Sequence, residues 1–207
     1  MNKNSPFYIV QDFISPMMSE DIIDSMNFTA PDIDKDGNVL PSLYFFSDID
    51  DVIFERLQSL IPDLESHYDI EYVGTEPMTY EFYPQGYKNE EVKSENSVHL
   101  KGKWLRTKNR DLTGIIFLND YNDRPPFENY FEVYGGKIQF PQHDFSLNPE
   151  RGTLVLFPSV PHFLNGLTPV QVGDSAMVRF HITAKKPFLY DHTKFPGDYK
   201  TWFEEFA

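Results

Sequence analysis

The chain contains no cysteine. Disulfides, thiolate nucleophiles and cysteine metal sites are therefore excluded, and an intracellular or virion setting is compatible with the composition. No apolar run approaches membrane-spanning length, and Met1-Asn2-Lys3-Asn4-Ser5-Pro6 lacks the apolar core of a secretory signal. The expected location is cytoplasmic or virion-associated, not secreted, with no membrane partner. Basic charge is scarce too: 18 Lys and Arg stand against 32 Asp and Glu, for a formal net charge of −14. A general binder of phosphate backbones needs a basic surface, so nucleic acid is not an expected partner. Finally, no Ser/Gly-rich or charged linker divides the 207 residues, a length that suits one domain with a sizeable core.

What the chain has in quantity is aromatic side chains, at 16% of residues, with 19 Phe and 12 Tyr set mostly in short runs. Flat rings pack well on a pleated surface, so β structure is favoured. The 16 Pro and 11 Gly are scattered as turn punctuation. The basic residues gather in one place, at Lys101, Lys103, Arg106, Lys108 and Arg110. That cluster reads as a solvated loop, with a site for an acidic ligand or partner as the alternative.

Residues Phe7 to Phe13 read as a strand, and Ser15-Pro16 opens a helix to about Met26, capped by Ser15 or Ser19. Asp32 to Asn38 is a polar turn that begins like a calcium loop, but Leu43 stands where the distal bidentate Glu would be. Ile53, Leu57, Leu60, Ile61 and Leu64 are at helical spacing, which predicts a second helix over Ile49 to Tyr68. From Ile70 the texture changes. Strands are expected at Glu71–Val73, Met78–Tyr83, Leu112–Asn119, Gly136–Phe140, Thr153–Phe157 and Ala176–Ala184, divided by turns such as Asn122 to Pro126 and Gly135-Gly136. Tyr199 to Phe206 is a candidate closing helix. Helices followed by many short strands argue for an α+β chain with a sandwich or barrel core.

Four stretches, in order, carry a resemblance. They are Tyr80-Glu81-Phe82-Tyr83-Pro84-Gln85-Gly86-Tyr87; Arg110 to Asp120 around Thr113-Gly114-Ile115-Ile116; Tyr134-Gly135-Gly136-Lys137-Ile138-Gln139-Phe140; and Arg151 to Ser159, followed by Thr168-Pro169-Val170 and Gly173-Asp174. Their order and spacing resemble the prolyl-4-hydroxylase-like branch of the 2-oxoglutarate/Fe(II) dioxygenases, including variants from phage and cyanobacterial genomes. The resemblance covers roughly residues 70 to 185. It implies an α+β, mainly β fold: a double-stranded β-helix, or jelly roll, with N-terminal supporting helices. Residues 1–69 would be the support, 70–185 the jelly-roll core and 186–207 a C-terminal tail.

Enzymes of this family hold iron with two His and one carboxylate on one face and leave the other positions for 2-oxoglutarate and oxygen. In the resemblance the family's His-x-Asp-Asn falls on Lys93-Ser94-Glu95-Asn96, its distal His on Asn165, and its cosubstrate cation on Ser175. A protonated ammonium offers no lone pair, an amide is a weak ligand for Fe(II), and a serine has no charge for the far carboxylate of 2-oxoglutarate. Only Glu95 keeps a carboxylate. Lys93 would oppose a cation and could instead pair with Glu95, which lies two residues along a strand and so on the same face.

The expectation is therefore no cofactor, and a catalytically degenerate binding or structural module whose partner is a protein, with phage-encoded virion or assembly proteins as one form. The alternative is an active hydroxylase using Fe(II) and 2-oxoglutarate through the relocated ligands His99, His162 and Arg179. Arg179 has the strand parity of Ser175 but lies about 13 Å further along an extended strand. A third reading is a cupin-like binder of a sugar or small ligand in the emptied cavity. His143-Asp144 reads as a hairpin turn and His181 as a satisfied core or surface histidine. His67 and His192 show no partners in sequence, and Trp104 and Trp202 read as packing anchors.

Overall fold

The computed structural model describes residues 4–26, 32–89, 91–125 and 129–203. In chain order the elements are β1 (Tyr8–Val10), α1 (Pro16–Ser25), β2 (Ser42–Tyr44), α2 (Ser47–Tyr68), β3 (Tyr72–Thr75) and β4 (Thr79–Tyr83). There follow β5 (Ser97–Leu100), β6 (Lys103–Arg106), β7 (Leu112–Phe117), β8 (Asp120–Tyr121), β9 (Glu132–Gly135), β10 (Ile138–Phe140) and β11 (Phe145–Leu147). The last are β12 (Leu154–Pro158), β13 (Gly166–Leu167), β14 (Val170–Val172), β15 (Ser175–Ala184) and α3 (Tyr199–Trp202).

The two long helices follow from local chemistry. The Ser15 side chain accepts a hydrogen bond from Met18 N and caps α1, with Pro16 at the first turn. In α2 the apolar stripe Ile53, Leu57, Leu64 and Tyr68 is buried, and Asp69 ends the helix in the left-handed region at φ 56°.

A seven-stranded sheet runs in the order β1-β12-β7-β15-β4-β2, with β3 also paired to β15. Against its other face lie two three-stranded sheets, β11-β10-β13 and β14-β9-β8. This is a jelly roll that does not close into a barrel. Side chains alternate across the large sheet. Leu112, Ile116, Leu154, Leu156, Val178 and Phe180 form one cluster with Ile22, Ile53 and Leu57 of the helices. Ile115, Phe117, Val155, Phe157 and Met177 form a second with Ile138 and Phe140 of the smaller sheet. Gly114 is required by the first cluster, because a Cβ there would overlap the Phe180 ring.

The expected strands and helices are present with boundaries moved by a few residues. α3 is shorter than expected; residues 204–207 lie outside the described ones, as does Pro126 of the expected turn. The Asp34 carboxylate accepts from Asp36 N and Asn38 N, so it is committed to closing its own turn. One expectation is corrected. The basic segment is exposed to solvent as expected, but it is not all loop: Lys103–Arg106 pairs with Ser97–Leu100 in a hairpin that turns on Lys101 and Gly102, both at positive φ. Its strand alternation is short and is broken in the sequence by Lys101-Gly102-Lys103 and by the adjacent Trp104 and Leu105.

Candidate functional site: a buried ion-pair centre

Three of the four positions singled out by the resemblance, Lys93, Glu95 and Asn165, come together. Lys93 and Asn165 form a backbone bridge, with Lys93 N to Asn165 O at 2.9 Å and Asn165 N to Lys93 O at 3.0 Å. Two residues on, Glu95 is buried, while its neighbours tie the segment to β12: Ser94 Oγ donates to Ser159 O at 3.0 Å, and Asn96 N reaches the same oxygen at 3.3 Å. Asn96 Nδ2 donates to Arg110 O, which pins the base of the β5–β6 hairpin to the entry of β7.

Glu95 is met from the inner face of the large sheet. Arg179 Nη1 lies 3.2 Å from Glu95 Oε1, and Arg179 Nε donates to Glu81 Oε1 at 2.9 Å. Tyr83 donates its hydroxyl to Glu81 Oε2 at 2.9 Å. Glu81 on β4 sits directly opposite Met177 on β15, so Arg179, two residues on, leans back along its own face to reach it. Burial works against the charge on Arg179, but Glu81 and Glu95 outweigh it and hold the guanidinium pKa above its ordinary value. Burial first, and the Glu81 charge second, push the Tyr83 phenol well up, so it serves as a donor.

Two further cations flank Glu95. Arg110 Nη1 is 3.9 Å from Glu95 Oε2, and its fork is taken up by Glu76, which accepts from Arg110 Nε at 2.8 Å. Lys93 Nζ is 3.8 Å from Glu95 Oε1, with its side chain 56% exposed against 3% for Glu95. The expected Lys93–Glu95 pair therefore exists, but Arg179 is the closer and the buried partner. His181 Nε2 is 3.9 Å from Glu95 Oε2, and its Nδ1 lies 3.3 Å from Thr113 Oγ1, itself 2.7 Å from Ser159 Oγ. Burial, followed by the charges of Arg110, Arg179, Lys93 and Lys108, lowers the His181 pKa to about 2, so the ring is neutral.

Asn165 is buried and donates Nδ2 to Phe163 O at 3.3 Å. At the expected cosubstrate position, Ser175 Oγ donates to Gly136 O at 3.3 Å, and the Tyr121 hydroxyl donates to the same carbonyl at 3.2 Å. Gly136 stands at φ 65°, and a Cβ on it would come within 2.7 Å of Ser175 Cβ, so the smaller sheet presses its backbone onto this point.

The relocated candidates divide. Arg179 is in the centre. His99 lies on the exposed hairpin with its ring 5.1 Å from Trp104. His162 belongs to a separate group, with ring centroids 4.8 Å from His143, 5.3 Å from His192 and 4.5 Å from Tyr190. Burial, then the charges of His143 and His192, lower its pKa to about 4. Among the described residues no group of three or more His, Cys, Asp or Glu is placed to hold a metal ion. Sequence reasoning misses Glu81, Glu76, Arg110 and His181 as members of the centre. Glu81 does leave a signal, as the one charged residue in the aromatic strand Tyr80-Glu81-Phe82-Tyr83. A buried Arg179 needs a counter-ion on a neighbouring strand.

No protein-family model matches the chain. No curated protein sequence matches it either. Solved structures do. A viral collagen prolyl hydroxylase from Paramecium bursaria chlorella virus-1, solved as a 2-oxoglutarate complex, superposes with a TM-score of 0.58 at 17% identity, over 88% of this chain and 97% of that one. A prolyl-4-hydroxylase from Pseudomonas putida gives 0.59 at 11% identity, over 88% and 94%. A prolyl hydroxylase from Trichoplax adhaerens, bound to a hypoxia inducible factor peptide fragment, gives 0.56 at 12%, over 92% and 86%. At these identities the likeness is one of fold: the chain is built on the jelly roll shared by the prolyl-4-hydroxylase-like 2-oxoglutarate/Fe(II) oxygenases.

Proposed function

We propose that this chain is a non-catalytic binding or structural module on the oxygenase scaffold, with no resident iron or 2-oxoglutarate and with protein partners. The observation that carries the reading is the Arg179–Glu95 contact. Glu95 is the one residue at the expected ligand positions that retains a carboxylate, and a guanidinium is seated against it. The residues do not fit Fe(II). An ammonium and an amide replace two imidazoles, and Arg179, Arg110 and Lys93 all stand within 4 Å of Glu95, where a divalent cation would meet their repulsion. The cosubstrate position supports the same reading, since Ser175 brings no charge and is covered by Gly136 and Tyr121. No helix among the described residues is long and apolar enough to cross a membrane.

The deciding experiment is calorimetric titration of purified protein with Fe(II) under anaerobic conditions, with Mn(II) as a redox-silent stand-in, and with 2-oxoglutarate in the presence of each. No saturable binding of metal or cosubstrate is expected. Stoichiometric metal held with micromolar affinity, together with turnover of 2-oxoglutarate to succinate, would overturn the reading in favour of a hydroxylase. His99→Ala and His162→Ala would then show whether those residues hold the metal.

A further inference from the structure

We propose that the β5–β6 hairpin is a docking element for an acidic, apolar-bearing extended polypeptide segment of another protein. The hairpin pairs with no other strand among the described residues. All of its strand residues except Ser97 are exposed. Directly opposed residues share a face, and faces alternate along each strand. Val98 faces Leu105 and Leu100 faces Lys103, so these four share one side; His99 faces Trp104 on the other. Val98 is 48%, Leu100 53%, Leu105 46% and Trp104 41% exposed. A two-stranded hairpin with apolar residues bare on both faces is marginal in water.

This hairpin is nonetheless held in one place. Arg106 Nη1 donates to the buried Asp111 at 2.9 Å, and Thr107 N donates to Asn96 O at 2.8 Å. The two-residue turn at Lys101-Gly102 fixes the register. The molecule thus presents a preformed strand pair with unpaired outer edges, the arrangement to which a peptide adds as a further strand.

Charge selects the occupant. Lys101, Lys103 and Lys108 form no ion pair among the described residues, in a chain whose net charge is −14. Acidic side chains alternating with apolar ones would meet these lysines and the Val98/Leu100/Leu105 surface together. A second copy docked by its own hairpin would oppose lysine to lysine, since a two-fold interface presents the same patch on both sides. A nucleic acid would meet the lysines but be repelled by the rest of the surface. The inference deepens the non-catalytic reading by naming its partner chemistry, and it rests on that reading only for the claim that binding is the chain's role.

The test is selection from a random-peptide display library on the intact protein, with counter-selection on the Val98→Ser/Lys103→Glu/Leu105→Ser variant, in buffer without metal or 2-oxoglutarate. A negative selection and a positive iron titration are therefore separate results. Enriched peptides should alternate Asp or Glu with apolar residues. Measured by fluorescence anisotropy, one of them should bind Lys101→Glu/Lys103→Glu at least about tenfold more weakly, and should lose affinity in high salt. Amide NMR shifts should be confined to residues 96–108, and unchanged shifts elsewhere in the variants would show them folded. The proposal is overturned if no peptides are enriched, if the enriched ones are basic, or if they bind the variants equally. It is also overturned if labelled oligothymidylate binds more tightly, or if sedimentation shows a dimer that Lys103→Glu dissociates.

Discussion

The space between the two layers is filled in two different ways. In one half Phe7, Phe140, Phe157 and Phe163 meet mostly edge to face, with Phe7 and Phe140 at 5.2 Å and 84° and Phe140 and Phe157 at 5.0 Å and 89°. In the other half Glu81, Arg179 and Glu95 run in a chain of ion pairs, closed off by Arg110, Glu76 and His181. The aromatic half needs no particular partner for each ring; it stabilises through area removed from water and ring geometry. The centre of the charged half is stable only as a set, because Glu81, Arg179 and Glu95 are desolvated and depend on one another for neutrality. The buried cation of this half is a side-chain guanidinium, held between two buried carboxylates.

This contrast is sharpest at its centre. Arg179→Ala leaves Glu81 and Glu95 buried without their shared partner, and should cost about 3–5 kcal/mol by denaturant unfolding. Arg179→Met combined with Glu81→Gln and Glu95→Gln should recover more than half of that loss, because no uncompensated charge remains. A triple variant no more stable than Arg179→Ala would break the electrostatic account. On the apolar side, Ile115→Ala, at a fully buried position directly opposite Arg179, should cost about 3 kcal/mol. That cost should be insensitive to salt, and a strong salt dependence would show that the two halves are coupled.

Acidity should separate the halves as well. The His181 pKa is lowered to about 2 by burial and the cations around it, against an ordinary value of 6.5. Below pH 6.5 the unfolded chain takes up a proton that the folded ring refuses, so stability is intact above that pH and falls as pH drops from 6.5 toward 2. By about pH 5 this one group should have removed about 2 kcal/mol. His162, lowered to about 4, acts in the same direction over a narrower window. The readout is therefore the difference between wild type and His181→Gln, measured as unfolding free energy against pH. The variant should show the flatter slope, and equal slopes would mean that His181 takes up its proton in the folded state.

Much of the fold is legible in the amino-acid sequence. The Ser15-Pro16 start signal locates α1 and apolar periodicity α2, turn residues locate most strands of the large sheet, and the ordered motifs point to the jelly roll. The short strands β8, β9, β13 and β14 are not legible, since two to four residues carry no period to read. The site is legible in position and less so in content. Motif alignment brings Lys93, Glu95 and Asn165 to one place, and strand parity puts Arg179 on the inner face. Neither supplies how far the Arg179 side chain reaches. Counting residues along β15 puts its Cα about 13 Å from the Ser175 level, yet the centre forms nearer Arg179 because Glu81 and Glu95 converge on it from two other segments.

Lys93 offers the smallest effect and the closest test of which cation neutralises Glu95. It occupies the position where the resemblance expects an imidazole, and sequence reasoning makes it the natural counter-ion. Its Nζ lies 3.8 Å from Glu95 Oε1 with the side chain more than half in water, whereas Arg179 Nη1 reaches the same oxygen at 3.2 Å from a buried position. An exposed ammonium at that separation is screened, and it gives up rotamer freedom to hold its place. The fixed part of Lys93 is its backbone, which makes both hydrogen bonds to Asn165 and is unaffected by a change of side chain. Lys93→Met should therefore change stability by less than about 0.5 kcal/mol, an order of magnitude below Arg179→Ala, with no change in the unfolding slope m. If Lys93→Met instead destabilises as much as Arg179→Ala, the ammonium is the neutralising charge, and Arg179 is held chiefly by Glu81.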